Sequence, residues 1–228
     1  MYRNPETRRG DNSLNRFVGE SGIQLRILRK LPRSFYIRPA LTVARDLLGT
    51  YFVRRLGAQV LLGRIVEVEA YMGSLDPASH AYRGMTKRNE VMFGRAGHLY
   101  VYFTYGKHFC ANVVTEREGI GQAVLLRAVQ PLKSIRTMRR NRHLPKDAAA
   151  TGLCSGPAKL CQAFAVGRKE NGIDLCGNRI WLARDAHAEP RPAIQTTTRI
   201  GISVGKRHKW RFLFKGNPFV SQGRPVSG

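Results

Sequence analysis

Hydrophobic positions recur along this chain in two rhythms. Between residues 64 and 71 they alternate. Val66, Val68 and Ala70 fall on one face and Glu67, Glu69 and Tyr71 on the other, the period of a strand packed on one side. After Pro39, Val43, Ala44, Leu47 and Leu48 recur at helical spacing until Gly49, a helix opened by proline and stopped by glycine. Runs rich in β-branched and aromatic residues predict strands over 50–54 and 60–71, parted by a turn at Gly57. Residues 99–105 and 108–115 flank Gly106-Lys107 and predict a β-hairpin. Further strands are predicted over 123–128, 178–183, 197–203 and 210–215. A basic helix is predicted over 133–142, after Pro131. Another begins at Ser155-Gly156-Pro157, with Ser155 as its cap and Leu160, Cys161, Ala163 and Phe164 as its apolar stripe.

The strand-dominated order with scattered helices predicts an α+β fold. It is a single domain with a curved, mostly antiparallel sheet surrounded by helices and a protruding hairpin. Residues 1–35 are expected to be a basic, disordered arm, since the first 30 show no sustained period. Residues 36–221 form the domain and 222–228 a tail. Residues 73–97 make a long irregular connection carrying His80 and Arg88, and connections of that length in a compact domain are usually functional.

Charge changes the picture most. The 228 residues carry a formal net charge of +24 and a pI near 11.0, with the basic residues spread through the chain, which points to a polyanionic partner and first to nucleic acid. Cys110, Cys154, Cys161 and Cys176 show no metal-ligand spacing and are read as reduced and buried. No apolar run is long enough for a membrane span and no secretory signal is visible, so an intracellular protein is expected.

Against that basic background the acids of the 64–71 strand stand out. The ordinary reading of such an alternation is a solvated outer face. However, a carboxylate repels an anionic substrate, so two of them beside an aromatic ring suggest a general base that deprotonates water or a group that steadies an oxocarbenium-like sugar. The pattern does not choose between Glu67 and Glu69. On the hairpin, Tyr100 reads as an ordinary strand residue, while Tyr102 and Tyr105 suit base stacking and, at the tip, filling a gap in a base stack. Asn112 and Arg127 sit in apolar strands, where an amide or guanidinium must be paired.

These residues together resemble the alkyladenine (3-methyladenine) DNA glycosylases. The resemblance runs through Glu69-Ala-Tyr71, Asp76 to His80, Arg88-Asn89 with Met92-Phe93, Tyr100-Val-Tyr102 with Tyr105-Gly106, Asn112 and Leu-Leu-Arg127-Ala. It continues through Ser155-Gly-Pro-Ala-Lys-Leu-Cys-Gln-Ala and Arg211-Phe-Leu-Phe-Lys-Gly-Asn-Pro-Phe-Val-Ser, covering about residues 36 to 221. It implies a monomeric, cofactor-free and metal-free enzyme of a DNA-containing compartment (cytoplasm or nucleoid, or nucleus). Such an enzyme flips a damaged purine from double-stranded DNA and hydrolyses its N-glycosidic bond without cutting the strand. By the same resemblance Glu69 activates water, Arg127 orients it, and Tyr71, His80, Tyr102 and Asn112 line the base pocket. Tyr105 is the intercalating wedge, and Glu67 is left a supporting or solvated role. Arg95 and Gln130 depart from the family pattern and make this copy more basic.

Overall fold

The computed structural model describes residues 15–17, 26–186 and 190–223. In chain order the strands and helices are β1 (Asn15–Phe17), β2 (Arg26–Lys30), α1 (Arg33–Tyr36), α2 (Ala40–Leu47), β3 (Tyr51–Leu56), β4 (Gln59–Tyr71), α3 (Glu90–Phe93), β5 (Leu99–Thr104), β6 (His108–Thr115), β7 (Gln122–Lys133), α4 (Ile135–Asn141), α5 (Pro157–Ala163), β8 (Ile180–Asp185), β9 (Ile194–Thr197) and β10 (Arg211–Phe214). The strands join in one sheet, in the order β1-β2-β8-β3-β4-β7-β6-β5, and every pair among the described residues is antiparallel. The α+β architecture with a mostly antiparallel sheet is thus the one the patterning predicts. Within the stretch expected to be an arm, β2 pairs with β8, while residues 1–14 and 18–25, like 224–228 of the tail, lie outside the described residues.

The sheet branches at β4. Its first half pairs with β3, its second half with β10, and β7 runs along it from Leu62 to Tyr71. Val66, Val68 and Ala70 pack into the main core with Val43, Ala44 and Leu47 of α2, as the two rhythms require. Burying each of the valines and the leucine contributes about 1.5–3 kcal/mol. Opposite β4, the β4–β7 register shifts on either side of Glu67, first skipping Val66 and then Arg127. Such paired irregularities re-aim the side chains beside them.

Two predicted elements differ. Ser155 does not cap α5: Gly156 occupies the N-cap position with no side-chain hydrogen bond, and Ser155 instead forms an isolated bridge with Ala128. The strand expected over 197–203 ends at Thr197. Beyond it the Ile200 N–H leaves the ladder to donate to the Glu69 carboxylate at 2.7 Å, and Gly201 takes a left-handed φ of 73° that no strand sustains. Among the described residues no helix is long and apolar enough to cross a membrane.

Candidate active site

Glu67 and Glu69 share a strand face, but that face is not solvated: both side chains are 0% exposed. The C-terminal part of the chain covers it. The Ser221 N–H donates to Glu67 Oε2 at 2.6 Å, and its hydroxyl donates to Oε1 at 2.8 Å. Two buried guanidiniums complete the cover, with Arg127 Nε and Arg211 Nε each donating to Glu67 Oε1 at 2.7 Å. Glu69 has lighter company: the Ile200 N–H, the Tyr71 hydroxyl donating to Oε2 at 3.0 Å, and Arg127 Nη1 at 3.3 Å.

These environments drive the two carboxyls apart. Burial raises both. For Glu67 the Arg127 and Arg211 charges and the Ser221 N–H outweigh burial and hold the group below its ordinary value. For Glu69 burial wins over Arg127, the Ile200 N–H and the Tyr71 hydroxyl, and the group is raised. Two titratable neighbours pushed in opposite directions are the pattern of a divided acid–base assignment.

Above this cluster lies a cavity of about 370 Å³, of the size that takes small organic ligands. Tyr71, His80, Tyr102, Asn112 and Tyr105 all border it, so the structure brings together five side chains drawn from β4, the irregular connection and the hairpin. Glu69 is not part of the wall; it sits behind Tyr71 and touches the cavity side through that hydroxyl. Arg127 is likewise buried beneath.

The loop holding His80 is tied down by Asn89. Its Nδ2 donates to the carbonyls of His80 (2.7 Å) and Gly84 (3.0 Å), and its Oδ1 accepts the Thr86 N–H at 2.6 Å. Burial, then the charge of Arg88, lowers the His80 pKa, so the ring is neutral at pH 7. Its Nδ1 lies 3.0 Å from the Tyr100 hydroxyl. Tyr100 is therefore no ordinary strand residue: it borders the cavity, stacks on Tyr102 with centroids 5.6 Å apart, and has its phenol pushed up to about 12 by burial.

Tyr105 is 81% exposed at the hairpin tip. It and Gly106 both have positive φ, 49° and 66°, and form the central pair of the turn closed by the Lys107 N–H donating to the Thr104 carbonyl at 3.3 Å, a conformation that favours Asn-Gly. A bulky aromatic in that conformation is strained by on the order of 1 kcal/mol or more.

Beyond the residues singled out by the sequence, the site draws on Tyr100, Arg211, Ser221, the Ile200 N–H and Arg199. Arg199 is fully buried and pairs with Asp76 through two bonds, Nη1 to Oδ2 at 2.5 Å and Nη2 to Oδ1 at 2.8 Å. Arg211 and Ser221 lie in the last quoted motif, but nothing local says that a residue 154 positions away will cap Glu67.

Glu67→Gln leaves Arg127 and Arg211 buried without their shared counter-charge, and breaking such a cluster costs about 3–5 kcal/mol. Because the Glu67 pKa is depressed in the fold, its stabilisation is complete above the ordinary value of 4.5 and is lost as pH falls through the lower folded value. Urea unfolding should show a gap between parent and Glu67→Gln that narrows below pH 4.5. A gap independent of pH contradicts this.

Residues 34–218 match the family model described as "Methylpurine-DNA glycosylase (MPG)". Three similar proteins carry the name "Putative 3-methyladenine DNA glycosylase". That of Carboxydothermus hydrogenoformans is 50% identical over 192 residues, 84% of this chain and 98% of its own length. That of Alkaliphilus oremlandii is 43% identical over 202 residues (85% and 99%), and that of Chlorobaculum tepidum 45% identical over 199 (87% and 93%). With nearly the whole described domain matched, and with the motif residues gathered around one cavity and its buried acids, this chain belongs to the methylpurine-DNA glycosylase family.

Proposed function

We propose that this protein is a monofunctional DNA N-glycosylase that extrudes an alkylated or deaminated purine from double-stranded DNA and hydrolyses its N-glycosidic bond, leaving an abasic site. The observation that carries the proposal is a buried carboxylate of raised pKa, Glu69, behind a cavity walled by tyrosines in a protein of net charge +24.

In this scheme the basic surface takes the phosphates. Tyr105 enters the stack as the base leaves it. The base enters the cavity, where Tyr71 and Tyr102 provide aromatic faces and neutral His80, its ring fixed by Tyr100, meets its edge. Asn112, whose Nδ2 donates to the Tyr100 carbonyl at 3.2 Å, is held where a clash with the amino group disfavours normal guanine, a penalty that the weakened glycosidic bond of cationic 7-methylguanine offsets. As the bond from C1′ to the purine nitrogen breaks, its electron pair leaves with the base. A water oxygen bonds to C1′, and the water's proton passes to Glu69, which Arg127 and the Ile200 N–H hold in position. An imine route needs an amine, and no lysine borders the cavity among the described residues.

A duplex with a single hypoxanthine tests this. Incubation should give strand breaks only after alkali, at a rate that falls as pH drops through the raised Glu69 value. Breaks without alkali contradict hydrolysis, and none under either condition contradicts excision of this lesion. Tyr105→Asn separates stability from function: it should raise stability by about 1 kcal/mol, because Asn tolerates the left-handed turn position, while slowing excision more than it weakens binding to undamaged DNA. Equal losses in excision and in undamaged-DNA binding would make Tyr105 an ordinary contact.

A further inference from the structure

Arg199 stands behind the pocket wall. Its guanidinium lies over the Tyr71 ring, 4.6 Å from the centroid, and over the Trp210 ring at 5.0 Å; Trp210 in turn stacks on His208 with centroids 4.0 Å apart. Arg199 is fully buried and forms no part of the cavity wall, whereas Tyr71 does. One aromatic ring thus separates a fixed positive charge from whatever the cavity holds.

An electron-rich ring attracts a cation. A second cation against the same ring opposes that attraction, because the two like charges repel through it. Among the described residues no other cation lies over the Tyr71 ring, and the carboxylate paired with Arg199 is Asp76, itself fully buried. Asp76 takes both Nη groups of Arg199 and also accepts the Met72 N–H at 3.3 Å and the Ala78 N–H at 3.1 Å. The neutral pair presents the ring as though no cation lay behind it.

This bears on the purines of the proposed reaction, on which the inference rests. N3- and N7-alkylated purines are cations; hypoxanthine and ethenoadenine are neutral. We propose that Asp76 and Arg199 are specificity-determining positioning residues: the Asp76 carboxylate masks the Arg199 charge behind Tyr71 and thereby admits cationic alkylpurines alongside neutral ones. The bidentate geometry also fixes the guanidinium over the ring, and with it the wall that the base meets.

The test compares release of 7-methylguanine, which is cationic, with release of hypoxanthine from otherwise identical duplexes under single-turnover conditions. Asp76→Asn unmasks the guanidinium and should lower the 7-methylguanine to hypoxanthine rate ratio by about thirtyfold, the size expected for unit charges on the order of 8 Å apart in a partly buried site. Arg199→Gln leaves the carboxylate with its backbone donors and no cation, and should raise the ratio. The double variant Asp76→Asn/Arg199→Gln, neutral again, should bring it back toward the parent's. A purely structural role slows both lesions alike and moves the ratio in one direction or not at all, which would overturn the proposal. If Asp76→Asn is recovered unfolded, Arg199→Gln decides alone, and an unmoved or lowered ratio overturns the masking. A parent protein that releases neither base overturns the glycosylase reading and the masking with it; one that releases both while the variants leave the ratio unmoved overturns only the masking.

Discussion

Two carboxylates two residues apart on one strand cannot both be buried unless cations and donors are buried with them, and that constraint shapes this molecule. Glu67 and Glu69 draw Arg127 from β7, Arg211 from β10, the Ile200 N–H from the segment after β9 and Ser221 from near the end of the domain. Each partner is useless to the acids until the branching of the sheet at β4 and the return of the C-terminal segment have brought it there. Closing the fold and assembling the site are therefore one event. Removing one of the acids or guanidiniums leaves buried charge short of its counter-charge, which is far costlier than the loss of a surface ion pair.

The same cluster distributes roles. Glu67 receives four donors and is fixed as an anion; it anchors the guanidiniums and has no spare capacity for chemistry. Glu69 receives fewer and is raised by burial, so it retains an affinity for a proton. Tyr71 links the acid to the cavity, with its hydroxyl on Glu69 and its ring backed by Arg199. The tyrosine wall is thus held from beneath by the charge cluster and from the side by the Asp76–Arg199 pair.

Much of this was legible in the chain. Alternation over 64–71 identifies β4 and the shared face of the two acids, Gly106 the hairpin turn, and the separated motifs the family, because all of these are local or ordered signals. What was not legible is long-range. Periodicity left the acid face open to solvent, since the cover comes from Ile200, Arg211 and Ser221, more than 130 positions away. It passed over Tyr100 because its hydroxyl partner, His80, lies 20 positions earlier in an irregular loop. The strand expected over 197–203 stops short for the same reason: the backbone there serves Glu69 instead of a neighbouring strand. Glu67, left a supporting or solvated role by the resemblance, supports and is not solvated.

Substituting glutamine for Glu69 tests whether this carboxylate takes the proton of the attacking water. Glu69→Gln keeps the shape and the hydrogen-bonding reach of the side chain and removes its basicity. Measured side by side on a hypoxanthine duplex, the variant should bind with the parent's affinity while its single-turnover excision rate falls by at least about 10²-fold, the lower range for loss of a positioned general base. Excision within a few-fold of the parent at equal binding would contradict the account.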